Sequence, residues 1–384
     1  MNRAVYINRI AAYLPGEPID NDRMESVLGM IGGRPSRARA IVLRSNGIKT
    51  RYYAIDPATG EPSLNNAQLT AAAIRRLEGG GFTLDRIQCL ACGTSSPDQL
   101  LPGHAVMVHG ELGNPTCEVA SPSGICISGI IALKYGYMAV LAGLHHNAVV
   151  TGSETASASM TAKNFSAENE ARVDELESSP VIAFEKDFLR WMLSDGAGAM
   201  LLEPQPKAGG LSLRIEWIEQ FSYAHELPVC MYAGGDKDAW GRFVGWHEYP
   251  GEDVMKESLF ALKQDVKLLN DKVIHMTVER GMTDTLTRHP LRPEEIDWFL
   301  PHYSSGFFRD KVYEGLRKVG MEIPFERWFT NLPSVGNVGS ASVYLMLEEL
   351  FNGNHLRHGQ KILCYIPESG RFSTAFMLLT VLES

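Results

Sequence analysis

Two stretches of this chain repeat one another, and no other feature restricts its fold as much. The segment IQCLACGTSS (87–96) matches IDWFLPHYSS (296–305): an apolar strand, one special position, then polar residues ending in two serines. The match lays Gly93 over His302. Further along, CISGIIALKYGYMAVLAG (126–143) resembles NVGSASVYLMLEELFNG (337–353). Each is followed by an apolar strand, AVVTGSE (148–154) and KILCYIPES (361–369). Gly93 precedes Cys126 by 33 residues, and His302 precedes Asn337 by 35. A short-period solenoid would not give that spacing; a duplicated half-domain would. The order strand, helix, strand, helix, strand predicts an α/β protein of two like halves, 1–205 and 206–384.

Within 126–143 the only charge is Lys134, so apolar residues cover nearly every side of the predicted helix. Such a helix must be buried all round, which places it in a helix layer between two sheets. The partner segment 338–347 is equally free of charge until Glu348. Residues 156–192 and 222–258 lack a clean period and read as insertions, one in each half. Loops this long in a compact domain are usually functional covers or interface arms.

The balance of 36 Lys+Arg against 45 Asp+Glu gives a net charge of −9, which argues against a nucleic-acid binder driven by phosphate neutralisation. Six cysteines in 384 residues do not look like a disulfide framework. The first residues carry charges and a proline where a signal peptide needs an apolar stretch, and no run is long enough to span a membrane. A reduced cytoplasmic protein is the expectation.

Cys126 is the sharpest chemical candidate. It follows a Pro/Ser/Gly turn (121–125) and opens the apolar helix, whose positive end is expected to favour thiolate over thiol. The bland alternative is a buried, inert cysteine. His302 ends an apolar strand, and Asn337 opens the second apolar helix at the point equivalent to Cys126. A pseudo-twofold axis would bring the three together as a Cys–His–Asn site. Rival motifs are weaker. Cys89 and Cys92 have CxxC spacing, but on a strand they point to opposite faces. His145 and His146 read as a solvated surface pair without acidic neighbours. The run SDGAGAM (194–200) reads as a tight turn feeding a strand. None of these predicts a metal site.

Five segments together resemble the thiolase superfamily, and within it the ketoacyl synthase III-like condensing enzymes. GICISGIIAL (124–133) resembles the nucleophile segment, LPH (300–302) the histidine motif and VGNVGSASV (335–343) the asparagine motif. SDGAGA (194–199) resembles the family's glycine-rich turn, and SGRF (369–372) its C-terminal glycine loop. The resemblance implies a five-layer αβαβα fold and a homodimer. It implies that Cys126 takes an acyl group from a thioester, while His302 and Asn337 stabilise the enolate of a second substrate. The backbone N–H groups of Cys126 and Gly370 would form the oxyanion hole. No cofactor is implied beyond acyl groups carried on the phosphopantetheine of CoA or of a carrier protein. An acidic carrier protein needs a local positive patch, for which Arg37 and Arg44 in the acid-free run 34–51, and Arg309 and Lys311 after His302, are candidates. The run 34–51 has no Trp, unlike the housekeeping enzymes. The overall likeness is greatest to the subgroup forming dialkylresorcinol or cyclohexanedione precursors, carried by VYINRIAAYLP, VLRSNGIKTRYY and SPSGICISG. Two other functions fit the same fold: acyl transfer to a hydroxyl or amine, and a non-catalytic partner subunit.

Overall fold

The computed structural model describes residues 3–36, 39–165 and 189–383. Arg37 and most of the insertion at 156–192 lie outside them. Nine strands form the main sheet: β1 (Tyr6–Tyr13), β2 (Cys89–Thr94), β3 (Glu118–Ala120), β4 (Ala148–Glu154), β5 (Gly196–Glu203), β6 (Leu211–Ser222), β7 (Trp298–Pro301), β8 (Lys361–Pro367) and β9 (Ser373–Glu383). The packed helices are α1 (Asn66–Arg75), α2 (His104–Leu112), α3 (Ser128–Ala142), α4 (Val266–Val273), α5 (Gly281–Arg288), α6 (Arg309–Lys318) and α7 (Ser342–Asn352). A π-helical stretch, Ile274–Arg280, joins α4 to α5.

The repeat is visible strand by strand. In the first half β1 pairs antiparallel with β5, β5 with β4, and β4 runs parallel to β2 and β2 to β3. In the second half β6 pairs antiparallel with β9, β9 with β8, and β8 runs parallel to β7. A single parallel bridge, Phe299 to Trp328, stands where the fifth strand would be. The register repeats as well: Leu90 faces Val149 in one half and Phe299 faces Leu363 in the other. Where two separate sheets were expected, β1 and β6 meet at Tyr6–Arg214 and Ile7–Leu213, so hydrogen bonds join the halves into one continuous sheet.

Three buried clusters separate the layers. The central one packs α3 (Ile130, Leu133, Val140) and α7 (Val343, Met346, Leu350) against Ala91 and Val150 on one side and Cys364 and Met377 on the other. On the outer face of the first half, Leu90, Cys92 and Val149 meet α1 and α2 through Leu69, Ile74 and Val108. On the outer face of the second, Leu363 and Phe376 meet Val278, Met282 and Leu316. The five layers αβαβα follow. Cys89 and Cys92 fall in different clusters on opposite faces of β2, as strand alternation requires.

Complete burial of the 126–143 helix does not hold in the single chain. Met138 is 48% exposed and Leu144 72%. Only the face of α3 turned to the sheet and to α7 is covered. The helix starts at Ser128, not Cys126, and ends on Gly143 in the left-handed conformation that a C-cap demands. Segment 338–347 opens with a short 3₁₀ turn, Gly339–Ala341, before α7.

Candidate active site

Cys126 and His302 line the same cavity. Its walls are mostly apolar, with Leu269 and Val273 of α4, Ile274 of the π-helical stretch, and Phe308 and Val312 at the start of α6. Cys126 is held by the turn that leads into α3, where the Ser128 N–H and hydroxyl both donate to the Ile125 carbonyl (3.0 and 2.7 Å). His302 follows the last residue of β7, and its N–H donates to the Tyr365 carbonyl (2.8 Å), extending the parallel pairing with β8.

Asn337 is buried but is not part of the cavity wall. Its Oδ1 accepts the Gly339 N–H (3.0 Å), which fixes the side-chain orientation and leaves the Nδ2 hydrogens as donors. The turn carrying it abuts the start of α3: the Tyr344 hydroxyl donates to the Gly129 carbonyl (2.8 Å), and a methyl group on Gly129 would overlap the Ser340 carbonyl. The two helix starts therefore meet.

The electrostatics differ from expectation. Burial first, then the carboxyl groups of Glu154 and Glu368, push the Cys126 thiol well above its usual range. A helix dipole contributes at most about 2 kcal/mol even when partly buried, and here it loses to desolvation. His302 is pulled down to about 4 by burial alone, so its imidazole is neutral at physiological pH. It can donate a hydrogen bond without carrying charge.

Glu154 and Glu368 were missed in the sequence. They close β4 and follow β8 at equivalent register positions, and an acid ending each of two matched apolar strands was the available signal. Burial raises both carboxyl groups. Glu154 accepts from the Ser95 N–H and hydroxyl (3.1 and 2.8 Å), the Ser96 hydroxyl (2.6 Å) and the Ser340 N–H (3.2 Å). Those four donors fill the lone-pair sites of a carboxylate. Glu368 accepts backbone N–H groups from Gly370, Arg371 (3.2 Å) and Ser373 (3.1 Å). The Gly370 N–H, expected in the oxyanion hole beside that of Cys126, is therefore directed at Glu368. The Gly370 carbonyl in turn accepts from Cys230 and Met231 (2.7 and 3.2 Å), so the second insertion buttresses this loop.

Asp195 of the SDGAGA turn is structural. It accepts the Ala54 N–H (2.7 Å) and the Ser157 N–H (2.9 Å) and ties three segments together. His145 is not free of acidic neighbours, since its Nε2 lies 2.7 Å from Glu118. Tyr135 also donates to Glu118, and ligand atoms of Cys89, Glu118 and His145 lie within 4.8 Å of one another. Arg309 stacks on Phe325 (3.7 Å) and Lys311 on Phe307 (3.9 Å) beside the cavity. The helix carrying exposed Arg44 (Arg39–Asn46) abuts the neighbouring turn, where a methyl group on Gly306 would lie 2.9 Å from the Asn46 carbonyl.

A family described as 3-oxoacyl-[acyl-carrier-protein (ACP)] synthase III C terminal matches residues 286–371. The β-ketoacyl-[acyl-carrier-protein] synthase III of Xanthomonas axonopodis pv. citri (strain 306) is 25% identical over 368 residues, covering 94% of this chain and 95% of its own. Among solved structures, AbyA1, a tetronic acid condensing enzyme, has a TM-score of 0.74 at 21% identity, with 98% of this chain and 99% of its own covered. OleA of Xanthomonas campestris, seen with bound lauric acid and lauroyl-CoA, has a TM-score of 0.72 at 18% identity, with 99% of this chain and 100% of its own covered. The matched segment includes His302, Asn337 and Gly370. Over nearly its whole length this chain is thus similar to the synthase III-like condensing enzymes, and it has their thiolase fold.

Proposed function

We propose that this protein joins two acyl thioesters by carbon–carbon bond formation through an acyl-Cys126 intermediate. The observation that carries the reading is the shared cavity: Cys126 and His302 face the same apolar space, with the Asn337 turn packed against the nucleophile segment. In the first half-reaction the Cys126 sulfur attacks a thioester carbonyl and the leaving thiol departs. In the second, another thioester loses its α-proton to give an enolate that attacks the acyl carbon; the bond to the Cys126 sulfur breaks, and the proton ends on that sulfur. Neutral His302 and the Asn337 Nδ2 group donate to the enolate oxygen, each such donor being worth about a hundredfold in rate. The apolar walls suit an aliphatic acyl chain. The proposed substrate pair is a β-ketoacyl thioester and a second acyl thioester, leading towards a cyclohexanedione or dialkylresorcinol. Arg44, Arg309 and Lys311 would dock an acidic carrier protein, and a second copy of the chain would cover the β3 edge.

Intact-mass analysis after incubation with acyl thioesters tests this directly. The acyl mass is expected on the peptide containing Cys126, and Cys126→Ala should abolish it. His302→Ala should still acylate but form at least about 100-fold less condensed product. An acyl mass found only on other residues would reject the reading.

A further inference from the structure

The loop beside the cavity carries a carboxylate that the mechanism above does not use. Glu368 lies between Pro367 and Ser369, both of which line the cavity with Cys126. A methyl group on Gly370 would overlap Glu368 Oε1 and come within 2.7 Å of the Ile125 side chain, so this loop rests against the residue preceding the nucleophile. Of the three backbone donors to Glu368, two bind Oε2 and only Gly370 binds Oε1. Oε1 therefore retains a lone pair, whereas Glu154 is saturated.

Building on the acyl-Cys126 reading, we propose that Glu368 accepts the Cys126 thiol proton during acylation and thereby releases the Gly370 N–H to the thioester oxygen. As Sγ forms its bond to the carbonyl carbon, the proton moves from sulfur to Oε1. A protonated carboxyl is a weaker acceptor than a carboxylate, so the Gly370 N–H can turn to the new oxyanion. When the tetrahedral intermediate collapses, the old carbon–sulfur bond breaks and Glu368 returns the proton to the leaving thiolate. Neutralising Glu368 also removes a negative charge beside the sulfur at the moment the oxyanion forms.

The alternatives for this proton are poor. His302 is neutral but weakly basic, and Glu154 is filled by hydroxyl and backbone donors. The charge of Glu368 helps to hold the thiols of Cys126 and Cys230 protonated. The guanidinium of Arg371 is turned away, with Nε donating to the Leu227 carbonyl (2.9 Å).

Glu368→Gln keeps an acceptor for the Gly370 N–H but cannot take a proton. Acylation of Cys126 by acetyl-, octanoyl- and palmitoyl-CoA, followed by intact mass in single turnovers, should slow by at least about 100-fold. Alkylation of Cys126 by iodoacetamide should be as fast as in the unaltered protein or faster, because a repelling charge is gone. Glu368→Asp should recover part of the acylation rate. A residue that merely shapes the loop would move both rates together. Acylation of Glu368→Gln within about threefold of the unaltered rate overturns the role of Glu368 alone. The unaltered protein supplies a test that needs no folded variant: its acylation rate should rise with pH and level off at an ionisation above the ordinary Glu range, while alkylation continues to rise. Parallel profiles for the two reactions overturn the proposal. An unaltered protein that takes no acyl mass on Cys126 from any of the three thioesters overturns the acyl-Cys126 reading as well.

Discussion

At the scale of residues, burial governs most of the chemistry. His104 and His302 are both pulled down to about 4 from 6.5 by burial. Their folded-state protons bind only below the pH at which the unfolded chain has already taken them up. The stability they contribute is therefore complete above pH 6.5 and is lost as pH falls through that window towards 4. Asp195 acts in the opposite sense: burial raises it from 3.8 to about 6, so its contribution is lost as pH rises between those values. His104 sits among hydroxyls, with Nε2 at 3.2 Å from both Thr70 and Ser153, away from the cavity wall. In His104→Gln the fall in unfolding free energy between pH 7 and pH 4.5, read from urea titrations, should shrink by about 2–3 kcal/mol. An undiminished fall would show that His104 is already charged in the folded state.

Elements are brought together here by the absence of side chains. Methyl groups built on Gly93 and Gly152 would overlap the backbone at Ser128 and Ser340. Backbone thus touches backbone at both helix starts, and only glycine permits that spacing. Gly152→Ala should cost about 1–3 kcal/mol, the usual penalty for overpacking a tight core. It should also slow condensation more than acylation, because the Asn337 turn that serves the enolate is pushed away from the nucleophile segment. A variant that melts with the unaltered protein and condenses at its rate would mean that the turn is free to shift. The small-residue starts of both helices were readable in the sequence, and so was their equivalence. The contact between them was not, since nothing local in either segment names its partner.

For the whole molecule, the uncovered apolar surface is the remaining constraint. Strand β3 has only three residues and one unpaired edge in the main sheet. Around it stand Val106 of α2 (47% exposed), Met138 of α3 and Leu144. Fully burying a side chain of this kind contributes about 1.5–3 kcal/mol, which favours the packing of a second copy there. Light scattering at micromolar concentration should give a dimer for the unaltered chain, and Met138→Glu with Leu144→Glu should give a folded monomer. A monomeric unaltered chain would show that the exposed stripe serves another purpose. The sequence pattern had predicted that this helix would be covered on every side, and the single chain covers only part of it. Hydrophobic pattern states what must leave water, not which molecule supplies the cover.

The sequence by itself determined the order of the elements and the doubling of the half-domain. Periodicity and repetition are properties of neighbouring residues and survive without knowledge of the fold. Only the tertiary structure decided the state of the site. It buried the sulfur beside two acids, kept the imidazole neutral and aimed the Gly370 N–H at Glu368. Desolvation and the choice of hydrogen-bond partner depend on everything packed around a group, and that packing joins residues more than two hundred positions apart.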